Sequence, residues 1–123
     1  MSVSILIVDD HEGVRAGIRL LLGKDRRWVV CGEAVSGLDA IEKSKKLNPD
    51  VILMDISMPR MDGLSATRII RKEFPSIRVL IVTQNDPAVS LLQARDVGAE
   101  GFVGKLNLSN DLIPTLENML AAR

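Results

Sequence analysis

A doubly wound α/β fold around a parallel sheet follows from three features of this 123-residue chain. The apolar runs in ILIVDD, VILMD and VLIVT lack polar alternation, which is how strands buried on both faces read. Helix-like stretches separate the runs, so successive strands run parallel and need right-handed crossovers. Each run also stops on a polar group: Asp9 and Asp10, Asp55, and Thr83. Ligands of open parallel sheets bind outside the carboxyl ends of the strands. Two carboxylate stops and a hydroxyl stop therefore predict one shared site.

The punctuation gives five strand–helix alternations. Strand one, about 4 to 9, precedes a helix from roughly 12 to 23 with Val14, Ile18, Leu21 and Leu22 at helical spacing. Trp28 to Glu33 reads as strand two. Ser36 is placed to cap a helix with Asp39 three residues on; its apolar stripe reads as Leu38, Ile41 and Leu47, and Pro49 halts it. Strand three is 51 to 55. Gly63 to Phe74 forms the third helix, with Leu64, Thr67, Ile70 and Phe74 on one face, and it ends before Pro75. Strand four is 78 to 83. The fourth helix lies between Pro87, suited to a first turn, and Gly98, suited to a C-cap. Strand five is 101 to 104, followed by a helix from about 110 to 121 in which Pro114 should cost a hydrogen bond or a bend.

Composition fits a single unit over residues 1–123. At 46% hydrophobic content the chain can bury a core without disulfides or structural metal. Its 16 acidic and 16 basic residues cancel, and no basic block appears, which argues against direct nucleic-acid binding. Cys31 is the single cysteine, which excludes an intrachain disulfide and points to a reducing compartment. With no signal-like N-terminal segment and no apolar stretch of roughly 18 residues, no membrane role is expected and a cytoplasmic location is the default.

A fourth run, GFVGK, adds Lys105 beyond Phe102 and Val103. With this cation the chain resembles the response-regulator receiver domain of bacterial two-component signalling. The resemblance rests on Asp9 and Asp10, on Asp55 followed by ISMP and then Met61, Asp62 and Gly63, on Thr83, and on Phe102 three residues before Lys105. It covers the whole chain. The DDHEGVRAG opening is most similar to the subfamily whose receivers precede a LuxR-type helix-turn-helix domain. The resemblance implies a flavodoxin-like (βα)5 three-layer sandwich with strand order 2-1-3-4-5, the order shared by flavodoxin and a receiver protein. Asp10 and Asp55 would then face one crevice.

By the same resemblance Asp55 is the phosphoacceptor, a known nucleophilic use of a carboxylate. Carboxylates that crowd together need a divalent cation, and hard oxygen donors suit Mg²⁺. Asp10, Asp55 and the backbone carbonyl of Ser57 would bind it directly, with Asp9 acting mostly through water. Lys105 and Thr83 would hold phosphoryl oxygens. Thr83, drawn to the phosphoryl group, would vacate space for Phe102 and bias a surface of the fourth helix, fifth strand and fifth helix. Implied partners are a sensor histidine kinase, the protein's own C-terminal DNA-binding domain and a phosphorylation-linked homodimer. Control of transcription is the implied output. The chain stops near where a linker to an effector would start; the resemblance favours an excised receiver over a stand-alone one.

Three departures from the family pattern bear on tuning. Gln84 stands where Ala or Gly is usual, and Asn85 occupies a position that tunes dephosphorylation. Leu106 replaces a common proline, and because a non-proline cis bond costs about 2.5 to 4 kcal/mol, the peptide after Lys105 is expected to be trans.

Other classes fit less well. An aspartyl-phosphate phosphatase of the haloacid dehalogenase type places a second Asp two residues after the nucleophile, where this chain has Ser57, and 123 residues leave little room for a substrate cap. A phosphorylation-independent interaction module would not need the full set of acidic, hydroxyl and ammonium groups. GAEGFVGKL is not a phosphate-binding P-loop, since five residues separate Gly98 from Gly104 and Leu106 follows the lysine. His11 reads as solvated or capping, Cys31 as inert core or near-core, Met58 as packing, and Pro59 as a loop-shaping residue. Arg15, Arg19, Arg26 and Arg27 read as a solvated helix face, and Asp9 and Thr83 could serve as a helix cap and a loop contact.

Overall fold

The computed structural model describes residues 2–58, 61–84 and 87–121, with residues 87–90 described by backbone alone. Pro59 and Asn85, both singled out from the sequence, lie outside the described residues. The chain alternates β1 (Val3–Val8), α1 (Glu12–Leu22), β2 (Trp28–Ala34), α2 (Gly37–Leu47), β3 (Val51–Asp55), α3 (Gly63–Glu73), β4 (Arg78–Thr83), α4 (Pro87–Asp96), β5 (Gly101–Gly104) and α5 (Leu108–Ala121). A single turn of 3₁₀ helix, Lys105–Asn107, leads into α5. The strands form one parallel sheet in the order β2-β1-β3-β4-β5, as the resemblance implies.

Side-chain alternation along the strands divides the core into two layers. Leu6, Val8, Ile52, Met54, Val79 and Ile81 face Ala40 of α2, Ala66 and Ile70 of α3, and Ala94 of α4. Ile5, Ile7, Val51, Leu53, Leu80 and Val103 face Ile18 and Leu22 of α1 and Leu112 and Leu116 of α5. Each fully buried Leu or Ile contributes about 1.5 to 3 kcal/mol relative to exposure, so this layering is the main source of stability.

The caps explain the helix boundaries. Ser36 accepts from the Asp39 amide as expected, and α2 closes on Asn48 in the left-handed region at φ 45°. Asp62 caps α3 by accepting from the Ser65 amide at 2.7 Å. After α4, Gly98 takes φ +85°, a conformation that glycine adopts without strain.

Two expectations need correction. The buried face of α2 is Gly37, Ala40 and Ser44, whereas Leu38 and Leu47 are exposed and Ile41 is half-buried. Close packing of α2 favours small residues on its inner face, and the periodicity of larger residues pointed the wrong way. The last helix begins at Leu108 rather than about 110 and continues through the exposed Pro114, which has no N–H to donate to the carbonyl a turn earlier.

One irregularity marks β2. The register of β1 against β2 slips between Ile5 and Leu6, and Cys31 is the extra residue, its Sγ donating to the Ile5 carbonyl oxygen at 3.5 Å. Among the described residues no helix is long and apolar enough to cross a membrane.

Candidate functional site

The ends of β1, β3 and β5 meet around one ammonium group. In the β1–β3 register Val8 lies opposite Met54, so Asp9 and Asp55 follow at the same level. Lys105, just past β5, places Nζ 2.9 Å from Asp9 Oδ2 and 3.2 Å from Asp55 Oδ1. Asp9 and Asp55 are each 1% exposed, so these are desolvated ion pairs and not surface contacts.

Each oxygen in the crevice has a distinct environment. Asp55 Oδ1 also accepts from the Ser57 amide at 3.2 Å, while Asp55 Oδ2 is buried with no hydrogen-bond partner among the described residues. Asp9 Oδ1 accepts from the His11 amide at 2.8 Å. Asp10 is more open, with 27% of its side chain exposed, and its Oδ1 lies 3.1 Å from His11 Nδ1. Burial, and behind it the Asp9 carboxylate, hold the Asp55 carboxyl above the usual carboxylate range against the pull of Lys105 and the Ser57 amide. For Lys105, burial works to lower the pKa, but Asp9 and Asp55 outweigh it and keep the ammonium protonated above the ordinary lysine value.

Thr83 and Phe102 occupy the other side of β4 and β5. Thr83 is buried and pairs in register with Gly104, and the two side chains line a cavity of about 280 Å³ with Asn107, Asp111 and Thr115. Gln84 is exposed and lines a separate groove of about 540 Å³ with Lys105, Leu106 and residues of α1. Leu106 is 93% exposed, and no cis peptide occurs among the described residues, so the bond after Lys105 is trans as expected.

Ligand atoms of Asp9, Asp10 and His11 lie within 4.8 Å of one another; Asp55 falls outside that group, and its Oδ2 is a buried carboxylate oxygen without a hydrogen-bond partner among the described residues. Hard carboxylate oxygens at the mouth of a crevice fit Mg²⁺. The cluster includes His11, read from sequence as solvated or capping. Its ring is 68% exposed and makes no capping hydrogen bond, although His11 sits at the N-cap position of α1.

Two contributors escaped the sequence reading. Arg15 is not on a solvated face: its side chain is 11% exposed, and Nη1 donates to the Asp9 carbonyl oxygen at 2.7 Å. Its spacing from Glu12 was the available signal, but the contact to Asp9 depends on the turn after β1. Gly63 enters the sequence reading as a helix start and as a motif residue of the resemblance, without a packing role. A Cβ there would collide with the Asp55 carbonyl oxygen and stand 2.8 Å from Ile56 Cα.

The response regulator receiver domain family matches residues 5–117. The response regulator protein VraR of Staphylococcus saprophyticus is 40% identical over 112 residues, covering 91% of this chain and 54% of that protein. The chain thus spans about half the length of the curated relatives it matches. A LuxR-family two-component response regulator from Aurantimonas superposes with a TM-score of 0.93 at 33% identity, covering all of this chain and 88% of the other. Salmonella typhimurium RcsB, solved bound to the promoter rprA with the phosphomimetic BeF₃⁻, gives 0.88 at 30% identity over 98% of this chain and 61% of that one. With the fold, the family match and these relatives in agreement, the chain belongs to the response regulator receiver domain family, the phosphorylation-dependent signalling domain of two-component systems.

Proposed function

We propose that Asp55 accepts a phosphoryl group from a histidine kinase or a small phosphodonor and that the modified domain controls an effector, most directly transcription. The observation that carries this reading is the asymmetry of the Asp55 carboxylate. Oδ1 is held by Lys105 and the Ser57 amide, and Oδ2 is buried without a hydrogen-bond partner among the described residues, which leaves it as the attacking atom. An Oδ2–phosphorus bond forms as the bond from phosphorus to the donor's nitrogen or oxygen breaks, and the donor keeps that electron pair.

This chain's contribution is positioning and charge. Lys105 neutralises a phosphoryl oxygen, and the Thr83 hydroxyl donates to another. Mg²⁺, held by Asp10, Asp55 and the Ser57 carbonyl and by Asp9 through water, would supply further positive charge to the phosphoryl oxygens. The product adds about 1.5 to 2 negative charges beside Thr83. Movement of Thr83 then releases Phe102 within their shared cavity and shifts the α4–β5–α5 surface. A C-terminal LuxR-type DNA-binding domain, a phosphorylation-linked homodimer and a cytoplasmic setting complete the reading; the likenesses to a LuxR-family response regulator and to promoter-bound RcsB support the first.

Acetyl phosphate with Mg²⁺, followed by reductive trapping of the acyl phosphate, tests it. Label should fall on Asp55. Label retained in Asp55→Ala, or label independent of Mg²⁺, overturns the assignment.

A further inference from the structure

Arg15 connects the acidic pair at the end of β1 to the neighbouring edge strand, β2. From α1, its Nη1 reaches the Asp9 carbonyl oxygen at 2.7 Å, its Nε donates to Glu33 Oε1 of β2 at 2.8 Å, and its Nη2 pairs with Glu12. Glu33 is itself fixed, since Arg19 Nη1 lies 2.6 Å from both of its carboxylate oxygens. The carbonyl that Arg15 grips belongs to the peptide joining Asp9 to Asp10.

Gripping that peptide fixes the plane from which both carboxylates leave the backbone. A planar guanidinium with a fixed fork of donors can hold a carbonyl and a carboxylate at once, which an ammonium on a flexible stem does poorly. A cation that demands near-ideal octahedral geometry is sensitive to small errors in ligand direction. Groups that orient ligands from behind commonly change affinity 10- to 100-fold when removed.

We propose that Arg15 is a positioning residue for the acidic pair: anchored on Glu33, it sets the orientation of the Asp9–Asp10 peptide and thereby the affinity of the crevice for Mg²⁺. This rests on the metal reading of the site given above. Arg19 shares Glu12 and Glu33 with Arg15 but has no bond to Asp9, so it separates positioning from general support of the network.

The test uses the 123-residue chain, titrated with Mg²⁺ in a calorimeter, together with the Asp10 amide nitrogen resonance measured without metal. That resonance senses a hydrogen bond to the preceding carbonyl. Arg15→Met should weaken Mg²⁺ binding about tenfold and shift the Asp10 resonance, and Arg15→Lys should not restore either. Arg19→Met should leave the affinity within about twofold and the resonance in place, because only the supporting contacts change. Glu33→Gln, which loosens the anchor without removing the acceptor, should fall between them and carries the test if Arg15→Met does not fold. Unchanged affinity and resonance in folded Arg15→Met, or an equal loss in Arg19→Met, overturns the proposal. Failure of the metal reading is separate: Asp10→Ala would then keep its Mg²⁺ affinity, while the Asp10 resonance in Arg15→Met still reports whether the grip exists.

Discussion

Gly63 and Asp55 touch backbone to backbone. The first residue of α3 approaches the last residue of β3 so closely that a Cβ at Gly63 would strike the Asp55 carbonyl oxygen and lie 2.7 Å from its carbon. The Gly63 amide also donates to the Ile56 carbonyl oxygen at 3.3 Å, closing the loop that follows the candidate nucleophile. Gly63→Ala sets a helix-propensity gain of about 0.5 to 1 kcal/mol against overpacking of about 1 to 3 kcal/mol. Here the obstructing atoms are backbone, so the clash should win, with a net loss of about 2 kcal/mol in urea unfolding. A variant as stable as the parent would show that the loop can move aside.

Asp9 and Asp10 should differ as metal donors. Both Asp9 oxygens are already engaged, one by the His11 amide and one by Lys105, whereas Asp10 is more open. Asp9→Ala is expected to lose about tenfold in Mg²⁺ affinity, the lower end of the range for ligand-supporting groups, and Asp10→Ala, which removes a direct ligand, more than that. Equal losses by titration would reverse the assignment of direct and water-mediated roles.

Gln84 is exposed at the end of β4 and lines the groove that includes Lys105. Under the proposed function, a long side chain there would narrow the approach of water and phosphodonor past Lys105, and holding a water productively would cost it rotamer entropy. Gln84→Ala should therefore speed both phosphorylation by acetyl phosphate and loss of the phosphoryl group, each by a few-fold. Slower decay of phosphorylated Gln84→Ala would mean that the amide assists hydrolysis.

Cys31 should react slowly. Burial, opposed by a backbone hydrogen bond and reinforced by Asp50, pushes the thiol pKa up. Only the thiolate is alkylated, so a raised pKa leaves less reactive species at a given pH. Iodoacetamide at pH 8 should modify the folded protein about tenfold more slowly than a free thiol, with the rate climbing only as pH rises further. Urea should restore the ordinary rate; equal rates in folded and unfolded protein would contradict the burial argument.

Strands were the most legible part of the chain because runs buried on both faces are continuous in sequence: β4 and β5 match at both ends. Asp9, Asp55 and Lys105 converge because each follows such a run, so their neighbourhood was readable once the strand order was known. Helix faces were less legible. The inner face of α2 is defined by what fits, Gly37, Ala40 and Ser44, and small residues give a weak hydrophobic signal. Arg15 was misread for a different reason: its partners Asp9 and Glu33 come together only through the β1–β2 pairing and the turn into α1. The Gly63 contact has no sequence signature of its own, because it depends on the path of the intervening loop.

The alternation that divides the core also partitions the site. Asp9 and Asp55 continue the strand positions that face α1 and α5, whereas Thr83 and Phe102 continue those that face α2, α3 and α4. Under the proposed function, Thr83 at the end of β4 is therefore the point where receipt of the phosphoryl group on one face passes to the other. Residues that share a partner rarely act independently. A substitution at Thr83 should accordingly alter both how quickly the domain is loaded and what its partners read, whereas one confined to a single face should alter only one of the two.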